Sequence, residues 1–309
     1  MGIKWYRAGI MSKPQLDVAI AILLHQDKVL VGWREAKQHQ GNKHEFPGGK
    51  VEQGETPLAA CRREIFEEVG VGIQDWHAFD YIQHEYDDIV VKLHLFHTVV
   101  PNELLNEIQQ PWAWYTRQQL LNLNFPKANQ SIINRLVWAE KIKIIDHLES
   151  SISLLSEYLY YWRVEATEKN AELLNQLESE SLAQLIVNIE LYKLLNVETQ
   201  AQISTIHIKQ QQLMQMTAKD LIISKRYIAA CHDVVSAQYA QKIGCDAVLL
   251  SPVFVTATHP DAEALGWDKF TEIAGSLDIP VFALGGMSLD VIEAAQQHKA
   301  YGVAGIRFL

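Results

Sequence analysis

The first half of the chain alternates short apolar runs with polar turns. Two apolar runs, Val18 to Leu24 and Val29 to Trp33, flank the polar turn Gln26-Asp27-Lys28, which is the pattern of a β-hairpin. The later elements of this half are strand-like runs at Phe79 to Gln83 and Ile89 to Val100 and an amphipathic stretch from Gln130 to about Lys141. The pattern predicts a first folding unit that ends near residue 140.

One helix is bounded at both ends by its own sequence. Thr56 can cap a helix, Pro57 suits the first position, and Gly70 is placed to end it about four turns later. At about 100° per residue, four apolar side chains fall within one arc of about 80°. They are Leu58, Cys61, Ile65 and Val69. We therefore expect a helix over Pro57 to Val69 with this arc buried.

The second half changes to short apolar runs separated by helical patterns, which indicates alternating strands and helices with a parallel sheet. About eight runs follow one another: Ile142 to Asp146, Tyr158 to Val164, Leu185 to Ile189, Thr205 to Ile208, Tyr227 to Cys231, Ala247 to Val255, Pro280 to Gly285 and Val303 to Phe308. Eight is the strand count of a closed (β/α)8 barrel. The predicted fold class is α/β, with one domain over residues 1–140 and a small barrel over residues 141–309.

Composition and charge narrow the classes of protein. Hydrophobic residues make up 48% of the 309, enough for packed cores, and no apolar run approaches the roughly 18 residues of a membrane span. The start lacks the apolar stretch of a signal peptide, and translation is expected to begin at Met1 or Met11. With 27 Lys and Arg against 37 Asp and Glu, the net charge of -10 disfavours a nucleic-acid polymer as partner. A cytoplasmic protein without a membrane partner is predicted, for which a free nucleotide held through a metal ion remains a suitable substrate.

The predicted helix carries three acidic side chains on one face. Glu64, Glu67 and Glu68 span an arc of about 100° on the wheel and are expected to reach a shared point, and Arg63 can pair with Glu67. One interpretation is a solvated acidic helix face, which is common. The other is a divalent cation site, because clustered like charges are mildly destabilising and hard oxygen ligands suit Mg²⁺ or Mn²⁺.

The sequence around this helix resembles a known motif at every fixed position. The Nudix box, Gly-x5-Glu-x7-Arg-Glu-(aliphatic)-x-Glu-Glu-x-Gly-(aliphatic), is matched by Gly49, Glu55, Arg63, Glu64, Ile65, Glu67, Glu68, Gly70 and Val71. The resemblance implies an αβα sandwich that cleaves a nucleoside diphosphate linked to another group, with the three carboxylates of the acidic face as Mg²⁺ ligands. The resemblance also implies that a backbone turn beside the metal is formed by Gly48, Gly49 and Lys50. It further implies that Glu55 and Arg63 support the structure of the box.

Flanking residues are similar to one branch of that family, the MutT-type 8-oxo-dGTP diphosphatases. The similar positions are Trp33-Arg34, His39, Asn42-Lys43, Glu45 to Lys50 and Phe125 to Asn129. The resemblance implies that Asn129 reads the oxidised guanine edge, where an amide offers a donor and an acceptor together. The alternative is that Asn129 caps the helix that begins near Gln130. Further substrate contacts implied by the resemblance are Arg34, His39, Phe46 and Asp88. The alternative for Arg34, His39 and Asp88 is that each is an ordinary polar residue of the surface.

One departure from MutT-type proteins concerns a further Glu in the loop before a Gln-Pro pair. Here the loop reads Asn106-Glu107-Ile108-Gln109-Gln110-Pro111, which displaces Glu107 by about one residue. Glu107 is kept as a candidate metal ligand and catalytic residue, and either Glu64 or Glu107 can serve as the general base.

The second half resembles thiamine-phosphate synthases and TenI-like barrels, most clearly over Ser251 to Thr258 and Ala283 to Gly286. These segments follow candidate strands, where barrels place ligands and where glycine amides can meet a phosphate. The candidate phosphate-binding residues are Thr256, Thr258, Gly285 and Gly286. The alternative is that Gly285-Gly286 is only a tight turn.

Several residues depart from the synthase pattern. Glu165 stands where the synthases have a pyrophosphate-binding Lys, and His259 stands where a Lys follows the Thr-x-Thr loop. Ile189 and the stretch from Ser204 to Gln212 lack the aspartates that would hold Mg²⁺. The barrel is therefore predicted not to make thiamine phosphate, but to bind a phosphorylated ligand or to act as a scaffold or homodimerisation unit.

Taken with the resemblance, the residues predict Mg²⁺-dependent hydrolysis of 8-oxo-dGTP to the monophosphate and pyrophosphate, a role in nucleotide-pool sanitation. Two alternatives remain. The fused barrel favours hydrolysis of thiamine diphosphate or a damaged thiamine-pathway pyrophosphate by the same site. A non-catalytic sensor of a thiamine-pathway phosphate is the other, although a sensor has no need of all three carboxylates.

Overall fold

The computed structural model describes residues 13–36, 41–148, 154–256 and 263–307. The strands of its first part are β1 (Gln15–His25), β2 (Lys28–Arg34), β3 (Lys43–Glu45), β4 (Gly48–Lys50), β5 (His77–Glu85), β6 (Val90–Val99) and β7 (Ala113–Thr116). The α-helices described here are α1 (Pro57–Val69) and α2 (Gln130–Leu136), and 3-10 turns lie at Asn102–Glu107, Gln118–Asn122 and Lys127–Asn129.

The seven strands form one mixed sheet with β1 at its centre. Its order is β3-β2-β1-β6-β5, while β4 pairs with β1 and β7 pairs with β2. Strands β1 and β6 run parallel, and β1 and β2 form the predicted hairpin. Because side chains alternate along a strand, β1 presents different residues to each face. Ile22 and Leu24 pack in one core cluster with α2, and Ala21 and Leu23 pack in another with α1. A helix on each face confirms the predicted sandwich.

The bounds of α1 agree with the sequence prediction. The Thr56 hydroxyl accepts a hydrogen bond from the Ala59 N–H at 3.2 Å, and Pro57 opens the helix. Gly70 ends it with a left-handed φ of 89°, which glycine adopts without steric cost. Three of the four residues of the predicted buried arc are buried, whereas Leu58 is only partly so.

The prediction for the last helix of the first part needs a correction. The amphipathic stretch does not continue to Lys141, because α2 ends at Leu136 and Val137 is extended. Trp138 then enters the barrel, where it is 1% exposed and donates its backbone N–H to the Tyr301 hydroxyl at 3.1 Å. Burying this indole draws the chain out of helical geometry.

The second part is a closed parallel barrel, as predicted. Its strands are β8 (Lys141–Ile145), β9 (Tyr158–Trp162), β10 (Leu185–Asn188), β11 (Thr205–Ile208), β12 (Arg226–Cys231), β13 (Ala247–Leu250), β14 (Val281–Leu284) and β15 (Gly302–Gly305), in the order β10-β11-β12-β13-β14-β15-β8-β9. Its helices are α3 (Glu168–Leu174), α4 (Ser179–Ala183), α5 (Ile189–Leu194), α6 (Val197–Gln202), α7 (Gln210–Leu213), α8 (Val234–Ile243), α9 (Gly266–Ala274) and α10 (Ile292–Gln297). The strand predicted to reach Val255 ends at Leu250, since Pro252 has no N–H to continue a ladder.

The first part packs against the amino-terminal ends of the barrel strands. The turn of the β1–β2 hairpin rests on Asp278, which precedes β14: its carboxylate accepts from the Gln26 N–H at 2.7 Å and its carbonyl from the Asp27 N–H at 3.3 Å. The carboxyl-terminal mouth of the barrel lies on the opposite side. Among the described residues, no helix has both the length and the apolar character to cross a bilayer.

Candidate active site

The turn before α1 is built so that backbone lies directly against the acidic helix. Gly48 has a φ of 148°, and a Cβ there would lie 2.1 Å from the Ala19 carbonyl oxygen. A Cβ on Gly49 would lie 2.2 Å from Oε1 of Glu64. Only glycine allows this approach, which explains why two of them stand together here.

Arg63 organises the carboxylates of α1. Its guanidinium donates to Glu55 Oε2 at 3.0 Å, to Glu64 Oε1 at 2.8 Å and to Glu67 Oε2 at 3.3 Å. It also donates to the Lys50 carbonyl at 3.0 Å, which ties the helix to the glycine turn. The hydrogen bonds with Arg63 lower the pKa of the Glu55 carboxyl. The supporting role predicted for Glu55 and Arg63 has a physical basis in these contacts.

Glu68 is a carboxylate of α1 whose pKa is strongly shifted. Burial raises its pKa to about 7, and the negative charges of Glu64 and Glu45 add to that effect. The Gly48 N–H, which donates to Glu68 Oε2 at 3.1 Å, and the Arg34 guanidinium act in the opposite direction. Negative charge is thus crowded at this end of the helix.

The helical wheel predicts that three carboxylates reach a shared point, and the structure differs. Within residues 13–36, 41–148, 154–256 and 263–307, no three His, Cys, Asp or Glu side chains are arranged to hold a metal ion. Glu64 and Glu67 turn toward Arg63, whereas Glu68 turns toward the Gly48 N–H. The spacing predicts the pairing of Arg63 with Glu67, but a helical wheel places side chains by angle only and does not anticipate that the same arginine also engages Glu64.

The other side of the glycine turn carries aromatic and amide groups. Phe46 stacks on Phe125 with ring centroids 4.9 Å apart and an interplanar angle of 20°. Asn129, four residues beyond Phe125, is 9% exposed. Its side chain makes no hydrogen bond with the described part of the chain, and it does not cap α2. The capping alternative is therefore wrong, and a nearly buried amide remains available to a ligand.

The remaining sequence candidates that the structure describes lie on separate elements. Arg34 Nε donates to Glu45 Oε2 at 2.6 Å. Glu107 is exposed, and its backbone carbonyl would lie 3.0 Å from a Cβ on Gly70, at the end of α1. Asp88 is exposed in the loop between β5 and β6. His39 lies outside the described residues.

Sequence reasoning missed two contributors. Glu45 pairs with Arg34 and raises the pKa of Glu68, and His44 lies within ring-contact distance of Trp33 and Phe125. Glu45 belongs to the segment that resembles MutT-type proteins, and His44 lies between two such segments, so the resemblance indicated this region without assigning either residue a role. The pairing of β2 with β3, which sets Trp33 opposite His44 and Gly32 opposite Glu45, is a contact that the linear sequence does not reveal.

Substitution by alanine is expected to have different effects at Gly48 and at Gly49. In Gly49→Ala the new methyl group meets the end of a flexible glutamate, so we expect the melting temperature to change little while kcat falls about tenfold or more as Glu64 is displaced. In Gly48→Ala the methyl group meets backbone at a strained φ, so we expect the melting temperature to fall by several degrees. Thermal unfolding and initial rates measured on both variants separate the two outcomes; equal losses of stability would contradict this assignment.

The barrel holds a second candidate site at its carboxyl-terminal mouth. A cavity of about 1120 Å³ lies there, bordered by Thr256, Gly285 and Gly286. Gly285 and Gly286 have φ values of 103° and 73°, and Cβ atoms there would lie 2.9 Å from Pro252 and from Phe254 respectively. The cationic and anionic side chains lining the cavity are Arg163, Lys209, Lys269, Arg307 and Glu263, together with the imidazole of His232. Thr258 and His259 lie outside the described residues.

Groups at and below this mouth differ from those expected of a metal-dependent synthase. Asn188 uses its side chain to cap α5 and to donate to the Val164 carbonyl at 3.0 Å, and Glu165 is exposed. His207 stacks on Tyr161 with centroids 4.4 Å apart, and its Nδ1 lies 3.1 Å from the Tyr161 hydroxyl. The floor of the cavity is thus neutral and aromatic below a mainly cationic rim.

The buried imidazole predicts a dependence of stability on pH. Burial lowers the pKa of His207 to about 3, and the positive charge of Lys209 adds to the effect. Below about pH 6.5 the His207 imidazole is protonated in the unfolded chain but stays neutral in the folded barrel. The free energy of unfolding therefore falls by about 1.4 kcal/mol for each unit by which the pH is lowered. We expect His207→Gln to lose stability less steeply than the parent between about pH 6.5 and pH 4 in urea titrations. Identical slopes would contradict the neutral, buried state of this side chain.

Comparisons with known proteins agree with the two-part architecture. Residues 18–135 match the family described as NUDIX domain, and residues 162–309 match that described as thiamine monophosphate synthase. The 8-oxo-dGTP diphosphatase of Escherichia coli (strain K12) is 34% identical over 124 residues, which cover 40% of this chain and 96% of that protein. The MutT protein from Methanosarcina mazei Go1, a solved structure, has a TM-score of 0.37 at 18% identity and covers 41% of this chain and 95% of that one.

The barrel has its own relatives. A putative thiamine-phosphate synthase 2 of Aquifex aeolicus (strain VF5) is 42% identical over 77 residues, 25% of this chain, and the chain spans 41% of that relative's length. Over the first part, the sandwich, the box and the extent of the E. coli match together show that the chain belongs to the Nudix family. It is a Nudix hydrolase that carries a thiamine-phosphate synthase-like domain after the catalytic one.

Proposed function

We propose that this hydrolase converts 8-oxo-dGTP to 8-oxo-dGMP and pyrophosphate and thereby removes an oxidised, mutagenic precursor from the nucleotide pool. The proposal rests on the Asn129 amide, which is nearly buried and makes no hydrogen bond with the described part of the chain. Asn129 lies four residues beyond Phe125, whose ring stacks on that of Phe46. An oxidised guanine presents donors and acceptors side by side, which one amide can match. We further propose a boundary between the two domains at residue 140.

The donor set on α1 fits a divalent cation. Its oxygen ligands are hard, and Glu64 and Glu45 lie close enough to Glu68 for their negative charges to add to the rise in its pKa that burial causes. We propose that Glu64, Glu67 and Glu68 hold Mg²⁺, with Mn²⁺ as a substitute, after Arg63 releases the two that it engages. When bound, the ion neutralises charge on the phosphates and renders water nucleophilic.

The chain's own groups have separate tasks in this proposal. The Gly48–Gly49 turn places backbone against the carboxylates without side chains in the way. Arg63 keeps Glu55 and Lys50 in place and so fixes the turn relative to α1. Glu64 or Glu107 accepts the proton of the attacking water, while Phe46 provides an apolar wall for the base. Arg34, His39 and Asp88 are proposed contacts to the nucleotide.

The products test the reaction class directly. Incubation of the full chain with 8-oxo-dGTP and Mg²⁺ is expected to yield equal amounts of 8-oxo-dGMP and pyrophosphate, resolved by anion-exchange chromatography. Formation of 8-oxo-dGDP and phosphate would contradict the proposed cleavage between the α and β phosphorus atoms.

For the barrel, we propose binding of a phosphorylated ligand without synthase activity. The support is the mainly cationic rim of the mouth and the two left-handed glycines beside Thr256. Calorimetric titration with inorganic phosphate and pyrophosphate in the presence of EDTA is expected to show binding that Lys209→Gln weakens. Synthesis of thiamine phosphate from its pyrimidine and thiazole precursors would overturn the second half of the proposal, and absence of any anion binding would overturn the first.

A further inference from the structure

A single short helix connects the proposed base-reading residue with the barrel. Asn129 immediately precedes α2, and Arg135 lies on the last turn of that helix. The chain then passes through Val137 and Trp138 into the barrel without a flexible linker. Because a hydrogen-bonded helix transmits displacement of one end to the other, whatever holds the end of α2 also sets the position of Asn129.

Arg135 is a junction of three elements. Its guanidinium donates from Nε to Asp246 Oδ1 at 3.2 Å, and its Nη1 donates to the Phe79 carbonyl of β5. It also lies over the Phe79 ring, 3.9 Å from the centroid. The side chains of Arg135 and Asp246 are only 9% and 8% exposed, so their pairing is shielded from solvent.

The barrel side of this junction is itself fixed. Oδ2 of Asp246 accepts from the Tyr227 N–H at 2.8 Å, just before β13 begins. Arg226 Nη1 donates to the Val137 carbonyl at 3.3 Å, and the Tyr301 hydroxyl bonds both the N–H and the carbonyl of Trp138. The end of α2 is therefore held against several barrel residues.

We propose that the Arg135–Asp246 ion pair is a positioning contact through which the barrel orients Asn129 for base recognition. The inference rests on the proposed reading of the base by Asn129. It gives the barrel a part in substrate selection that does not depend on any ligand at its mouth.

The test measures discrimination in the full-length protein. The oxidised nucleotide 8-oxo-dGTP and its parent dGTP compete in one reaction, and the ratio of their kcat/KM values is determined for the unaltered protein and for Asp246→Asn. We expect Asp246→Asn to lower this ratio about fivefold, mainly because the oxidised nucleotide binds less tightly and its KM rises. Partial unfolding removes active enzyme for both substrates equally and leaves the ratio unchanged, so a merely structural role does not produce this result.

Three further variants complete the test. Arg135→Gln also removes the contacts with Phe79, so it is expected to lower the ratio at least as much. Adding Asp246→Asn to Arg135→Gln is expected to lower the ratio no further, because the ion pair is already broken. Asp278→Asn is the matched control, since that carboxylate bonds the hairpin turn at Gln26 and not α2. An unchanged ratio in Asp246→Asn, or an equal fall in Asp278→Asn, would overturn the inference. A ratio of about one in the unaltered protein would refute the proposed base recognition itself and the inference with it.

Discussion

Replacing Glu67 by Gln is expected to lower kcat about 100-fold or more while the protein remains folded. The side chain is 57% exposed and contributes one long contact to Arg63, so little packing is lost. The amide is a poor ligand for a hard divalent cation, so the concentration of Mg²⁺ needed for half-maximal activity is expected to rise as well. Initial rates over a Mg²⁺ titration, with a thermal unfolding curve, measure both effects.

Glu103→Gln supplies the matched control for this prediction. Glu103 is also an exposed glutamate of the first domain, but it lies in the 3-10 turn after β6 and not on α1. Its substitution is expected to leave kcat and the Mg²⁺ requirement unchanged. Full turnover in Glu67→Gln would show that the metal ligands have been misassigned.

Replacing Asn129 by Ala is expected to lower kcat/KM for 8-oxo-dGTP about 10- to 100-fold with a much smaller effect on dGTP. Loss of a hydrogen bond to a base that has left water costs roughly 1 to 3 kcal/mol, since the base edge is left unpaired. The amide bonds nothing in the described chain, so the free energy of unfolding is expected to change little. Competition between the two nucleotides measures the change in selectivity.

Asn134→Ala is the control for that variant. Asn134 lies on the exposed side of α2, and within the described ranges its side chain accepts only from Gln130, at 3.0 Å. It is expected to leave selectivity intact. If Asn134→Ala and Asn129→Ala alter selectivity equally, helix stability and not base recognition is responsible.

Local signals in the sequence determined which elements could be predicted. Helix α1 could be placed because a cap, a proline and a terminal glycine lie within the same short segment. The barrel could be recognised because parallel strands are buried on both faces and read as short apolar runs. By contrast, α2 ends early because Trp138 is buried under the barrel, a contact with Tyr301 that no local pattern reveals.

The candidate site also has features that the sequence predicts and features that it does not. Its glutamates could be identified because their spacing on one helix is fixed by the sequence. The orientation of those carboxylates could not be predicted, because it depends on contacts with Arg63 and with the N–H of Gly48, which lies in strand β4. The stacking of Phe46 on Phe125 and the pairing of Arg135 with Asp246 join residues distant in the chain, and such contacts follow only from the tertiary fold.

The most direct test of the account compares kcat/KM in Mg²⁺ for four substrates: 8-oxo-dGTP, dGTP, ADP-ribose and thiamine diphosphate. The proposed function predicts a strong preference for 8-oxo-dGTP over all three others. A preference for thiamine diphosphate would contradict the proposed function. It would instead support the alternative substrate that the fused barrel suggests. Turnover of none of the four would contradict the proposed reaction altogether.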